Sequence, residues 1–213
     1  MARPVLFVLA GANGAGKSSI GGHLLRQAGL EWFDPDRFAH DLVAATGCDQ
    51  VHANILAWHE GQRRVDAALA TGTSFAFETT LGGNHVPRRL REARASHDVI
   101  VWFCGLGSVE QHIGRVRERV AAGGHDIPEA KIRQRWTRAR ANLIGLMPDL
   151  AYLRVFDNST NVPPGTRVPD PVTVLEMEHG RLLWPTDPAD WRHTPDWAKP
   201  LLEAALANHP TRP

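Results

Sequence analysis

Residues 11–18 read Gly-Ala-Asn-Gly-Ala-Gly-Lys-Ser, a match to G-x-x-x-x-G-K-[ST], and they come directly after the apolar run Pro4–Ala10. A loop of this kind gathers its backbone N–H groups around an anion only where a strand delivers the chain and a helix carries it away. The helix N-terminus then adds its partial positive charge. Pro4–Ala10 is apolar throughout, as a central strand of a parallel sheet must be, and a helix is expected from Lys17 to about Gln27. The same run imitates a secretory leader. It is short for that role, however, and a phosphate loop directly behind it would be useless if the run were cleaved off. In this reading Gly11, Ala12, Asn13, Gly14, Ala15, Gly16, Lys17, Ser18 and Ser19 hold phosphates. Lys17 reaches the β- and γ-phosphates, and the Ser18 hydroxyl ligates Mg²⁺. Of the 24 basic residues only Lys17, Lys131 and Lys199 are lysines, so the loop lysine stands out. No guanine-reading N-K-x-D pattern is present, and ATP is the expected nucleotide.

Strand and helix patterns alternate along the rest of the chain. Strands are expected at 74–78, 98–104 and 150–156, and helices at 37–46, 50–70, 86–96, 109–120 and 129–146. The expected fold class is α/β: a phosphate-loop kinase-type core with a mostly parallel central sheet flanked by helices. Residues 1–158 form this core. Residues 159–213 form a C-terminal extension with a hairpin over 172–184, turning at His179-Gly180, and a tail rich in Trp and Pro. Trp184, Trp191 and Trp197 are read as covering the edge of the core.

Two acids fall at expected strand ends, where open α/β sheets place their chemistry. Asp36 lies in Phe33-Asp-Pro-Asp-Arg-Phe38, and Glu78 ends Ser74–Glu78. A carboxylate there can take the proton of an acceptor hydroxyl or grip a substrate. Asp34 and Asp36 both precede a helix, so either can equally be its cap. Further on, Arg115, Arg117 and Arg119 precede the break Ala121–Pro128, and Arg133 and Arg135 come after it. A hinged flap of this composition, spanning about 115–135, can bring guanidinium groups onto a transferring phosphoryl, and His125 in the break can read phosphate or substrate.

These segments together resemble the zeta-toxin family of phosphate-loop kinases, over residues 5 to 158. The likeness rests on GANGAGKSS, WFDPDRF, FETT, RVRERV…GGHDIPEAKIRQR and LRVFDNS. It implies phosphorylation of UDP-N-acetylglucosamine or a similar nucleotide sugar, with Asp36 as base, Glu78 and Thr80 as substrate-holding residues, and Arg119 as the first lid arginine. The family's second lid arginine aligns with His125, which leaves Arg133 or Arg135 to supply that charge near ATP. The lid is similar to the chromosomal branch, whose acceptors are often unknown, and the first strand is expected to open at residue 4 with no helical extension ahead of it. The family also brings an antitoxin into view as a partner.

Composition excludes several other classes. Lys plus Arg total 24 against 23 for Asp plus Glu, a net charge of +1, which is not the footprint of a nucleic-acid binder. No stretch approaches the roughly 18 apolar residues of a membrane span. Two cysteines make no disulfide framework, so the cytoplasm is expected. The expected activity is Mg²⁺-dependent transfer of the γ-phosphoryl of ATP to a small-molecule hydroxyl. The rival readings are a kinase for another metabolite, nucleotide, cofactor or antibiotic, and an ATP-binding switch without transfer.

Overall fold

The computed structural model describes residues 3–18, 20–21, 32–160 and 170–207. Six strands form one sheet: β1 (Val5–Ala10), β2 (Phe75–Thr79), β3 (Asp98–Gly105), β4 (Tyr152–Asp157), β5 (Val172–Glu178) and β6 (Arg181–Trp184). Their spatial order is β2-β1-β3-β4-β5-β6. The first four are parallel, and β5 and β6 add antiparallel at one edge. In β1, Leu6, Val8, Leu9 and Ala10 are fully buried, because helices cover both faces of the sheet. Each large apolar side chain so buried contributes about 1.5–3 kcal/mol.

The flanking helices are α1 (Pro35–Thr46), α2 (Gln50–Thr71), α3 (His85–Ala93), α4 (Val109–Ala121), α5 (Glu129–Leu146), the short α6 (Pro188–Trp191) and α7 (Lys199–Ala207). The chain is helical at Lys17, Ser18, Ile20 and Gly21; the rest of the helix expected to Gln27 lies outside the described residues, as does Ser19. Helix α1 is capped by Asp34 and α2 by Asp49, and α1 stops at Gly47 in the left-handed region. Ala39, Ala53 and Ala57 are buried between α1 and α2, so the two helices approach closely.

Most expected boundaries lie within two residues of those found, and α5 and the hairpin coincide with theirs. The hairpin turns at His179 (φ 47°) and Gly180 (φ 76°), a pair of positive φ values that matches the twist of its strands. The helix expected to reach residue 96 ends at Ala93, where Ser96 N and His97 N both bond to the Ala93 carbonyl. Trp197 is 3% exposed and packs on Phe103 in the main core, whereas Trp184 is 42% exposed. Among the described residues no helix is long and apolar enough to cross a membrane.

Candidate active site at the C-terminal end of the sheet

The loop after β1 has its shape imposed from below. Gly11 has φ 141°, and a Cβ there would lie 2.3 Å from the Cys104 carbonyl of β3. Gly16 has φ 82°, and its Cβ would meet the Asn158 amide at 2.4 Å. Neither position admits a side chain. The Asn158 amide donates to the Ala15 carbonyl (3.0 Å), which ties the loop to the end of β4. From α5, Arg135 Nη1 donates to Asn13 Oδ1 (2.8 Å).

His112, on α4 and 1% exposed, bonds the Asn13 carbonyl through Nδ1 at 2.7 Å. A carbonyl only accepts, so the imidazole carries its proton on Nδ1. Burial pushes its pKa down to about 4, against the pull of that hydrogen bond. The ring therefore stabilises the fold fully above about pH 6.5, and this contribution, about 3 kcal/mol, is lost as the pH falls to about 4. Urea unfolding from pH 7.5 to 4 is expected to show a loss of that size in the wild type beyond the loss in His112→Gln. Parallel stability curves for the two proteins would refute the neutral, buried imidazole.

Lys17 and Glu78 face each other at the mouth of the loop. Both are 7% exposed, and Lys17 Nζ lies 3.4 Å from Glu78 Oε1. The Ser18 hydroxyl donates to Glu78 Oε2 at 3.0 Å. Burial pushes the Glu78 carboxyl above the usual carboxylate range, and Asp34 and Asp36 add to this, against the opposing influence of Lys17 and Ser18. Burial also raises the Cys104 thiol to about 12, so that sulfur stays a thiol beneath the loop.

Asp36 is brought to the same place by an unexpected pairing. Phe33 bridges Phe77 on the outer edge of β2, with Phe33 N bonding the Ala76 carbonyl and Glu78 N bonding the Phe33 carbonyl. This one-residue extension of the sheet sets Asp34-Pro35-Asp36 beside Glu78. The capping question has a clear answer: Asp34 Oδ1 accepts from the amides of Asp36 and Arg37. Asp36 is left with its side chain 47% exposed, 3.6 Å from Arg119 Nη1. Arg119 also donates through Nη2 to the His125 carbonyl (3.2 Å).

The remaining site candidates divide. Asn13, Lys17, Asp36, Glu78, Thr80, His125 and Arg135 all line one cleft of about 470 Å³. Arg119 reaches it through Asp36. Arg133 does not join them: on the outer side of α5 it ion-pairs with Glu129 (2.7 Å) and Glu110 (2.9 Å). Of the two arginines left open for the second lid charge, the geometry brings Arg135 into the cleft. Sequence reasoning missed the wall formed by Val51, Ile55 and Trp58 of α2, along with Asp126 of the segment between α4 and α5 and Lys131 of α5. The available signal was a second apolar stripe at i, i+4 and i+7 on α2, separate from the small-residue stripe Ala53, Ala57, Gly61, Val65 and Ala68 that faces the core.

The architecture and this loop together define a phosphate-loop kinase fold, with helices on both faces of a mostly parallel sheet. The chain is similar to the AvrRxo1-ORF1:-ORF2 complex solved with ATP (TM-score 0.63, 15% identity), covering 100% of this chain and 65% of that one. It is also similar to the PezAT chromosomal toxin–antitoxin system of Streptococcus pneumoniae (TM-score 0.55, 16% identity, 79% of this chain and 75% of that one). A candidate kinase from Chloroflexus aurantiacus aligns with TM-score 0.52 at 18% identity, over 65% of this chain and 80% of that one. At these identities the likeness is one of fold. By sequence, an uncharacterised protein of Haemophilus influenzae is 30% identical over 70 residues, 32% of this chain and 50% of the relative, so the match spans half of that relative's length. No protein-family model matches the chain.

Proposed function

We propose that this protein is an ATP-dependent kinase that transfers the γ-phosphoryl group to a hydroxyl of a small molecule, with a nucleotide sugar such as UDP-N-acetylglucosamine as the favoured acceptor. The observation that carries this reading is Asp36. It is a carboxylate relieved of capping by Asp34, lining the same cleft as Lys17, and set against a guanidinium from the lid. A protein that only binds and releases ATP has no use for such a pair. In the proposed mechanism Asp36 takes the proton of the acceptor hydroxyl, while Glu78 and Thr80 hold the acceptor. Lys17 and the loop amides hold the phosphates. Arg119 and Arg135 face the charge that builds on the transferring group, so catalysis is mainly positioning and electrostatics.

The residues present suit Mg²⁺, a hard cation bound by few protein oxygens. The Ser18 hydroxyl is the proposed ligand, with Glu78 3.0 Å behind it to orient it. When bound, the ion would neutralise charge on the β- and γ-phosphate oxygens. Two of the similar structures are described as a two-chain complex and as a toxin–antitoxin system, which supports a search for an inhibitory partner chain. A cytoplasmic location is proposed on the two free cysteines.

The test is incubation with labelled ATP and a panel of nucleotide sugars, nucleotides and cell metabolites, with products identified by mass spectrometry. Label on an alcohol oxygen is expected. Tight ATP binding with no labelled alcohol in any extract would replace the kinase reading with that of a switch.

A further inference from the structure

The exposed large apolar side chains are concentrated in one place. Of the six among the described residues, four lie on α2 between residues 51 and 58, and three of those, Val51, Ile55 and Trp58, line the cleft. Val51 is 70% exposed, Ile55 50% and Trp58 46%. Leaving such surface in contact with water forgoes stabilisation that burial would provide, and its continuity with the catalytic groups points to a ligand as its cover. Trp58 is also held in place: its ring stands edge-on to His85 at 5.5 Å (68° between planes) and to His59 at 4.9 Å (75°). An indole fixed in this way loses little conformational freedom when a second ring lies on it. On the lid side of the same cleft Lys131 forms no ion pair among the described residues, so an anionic group on that ligand would meet an unneutralised ammonium.

We propose that Trp58, with Val51 and Ile55, selects the acceptor, and that the acceptor alcohol carries a flat unsaturated ring that lies against the indole. This rests on the kinase reading for the identity of the cleft, and it adds the chemical feature by which the acceptor is chosen. The ring's large flat area matches an aromatic wall better than a polyol does, because an aliphatic sugar alcohol would strand its hydroxyls against Val51 and Ile55.

The experiment compares probes that share the ribose 2- and 3-hydroxyls and the 5-phosphate and differ at C1, which carries a base or only a hydroxyl. The full chain is saturated with Mg²⁺ and a non-hydrolysable ATP analogue to fill the donor site. Uridine and adenosine 5′-monophosphates and ribose 5-phosphate are then titrated by calorimetry. Base–aromatic stacking corresponds to about 5- to 150-fold in affinity, and at least one nucleotide is expected to bind ten times or more tightly than ribose 5-phosphate. Trp58→Ala should remove that ratio and Trp58→Phe should keep most of it, with melting temperature and affinity for the ATP analogue unchanged in both. Three results would overturn the proposal: equal affinity for all three probes, no affinity for either nucleotide, or an equal loss for ribose 5-phosphate and the nucleotides in Trp58→Ala. If an alcohol lacking a ring is phosphorylated efficiently, the ring selection falls and the kinase reading stands. If nucleotides bind through Trp58 but no alcohol is ever labelled, the kinase reading falls and the ring site stands.

Discussion

Asp36→Asn is expected to lower phosphoryl transfer about 10³-fold while leaving the affinity for ATP and the stability of the fold nearly unchanged. The substitution preserves volume and removes only charge and basicity. It leaves the helix start intact, because Asp34 and not Asp36 receives the first-turn amides. Its one ion pair among the described residues is with Arg119 at 3.6 Å, and the two side chains are 47% and 38% exposed. A pair so open to water is worth only about 0.2–1 kcal/mol, so losing it cannot unfold the protein. Single-turnover rates with the acceptor, together with equilibrium binding of an ATP analogue, separate the two effects. Full turnover in Asp36→Asn would remove Asp36 as the base. A matching loss of ATP affinity would show that its carboxylate shapes the donor site instead.

Arg119→Ala carries the second large effect, also about 10³-fold in turnover, which is the low end of what a transition-state arginine contributes. In the structure this guanidinium spans Asp36 and the His125 carbonyl, and its stem packs under Gly124. Charge on a phosphoryl group would outcompete the exposed Asp36 carboxylate for it. The same movement would free Asp36 for the acceptor proton, so donor binding and base release would be linked through one side chain. Arg119→Lys keeps the stem and one charge but lacks the planar fork, and it is expected to recover only a small part of the lost rate. A lysine variant with wild-type turnover would reduce Arg119 to a support for the 122–128 segment. A purely supporting role would also raise the acceptor KM in the alanine variant without changing the rate at saturation.

How much of this was legible in the chain depends on the range over which each feature is decided. The 3.6-residue stripe of α5 runs through Ile132, Ala139, Leu143 and Leu146, most of an 18-residue helix, so its length could be read directly. The His179-Gly180 turn is equally local, since only residues tolerant of positive φ can make it. The loop at 11–18 was legible because its own glycines carry the requirement. The choice between Asp34 and Asp36 was not, since either carboxylate can turn back to a helix amide, and the bridge from Phe33 to the edge of β2 holds the segment. Arg133 and Arg135 are two positions apart on one helix and so point to different sides, and only the packing of α5 over the loop says which side is the cleft. Trp58 lies on a readable apolar stripe with Val51 and Ile55, but nothing local says that this stripe lines a cleft and does not enter a core.

The sequence alone determined the phosphate loop, the alternation of strands and helices and the antiparallel hairpin, because each depends on interactions within about twenty residues of chain. The tertiary structure alone decided which acid is free, which arginine faces the cleft, and that Val51, Ile55 and Trp58 form its wall. Those outcomes depend on side chains far apart in the chain meeting across the end of the sheet, such as Arg135 on Asn13 and Ser18 on Glu78. Such meetings are set by how the layers pack, which no local propensity encodes.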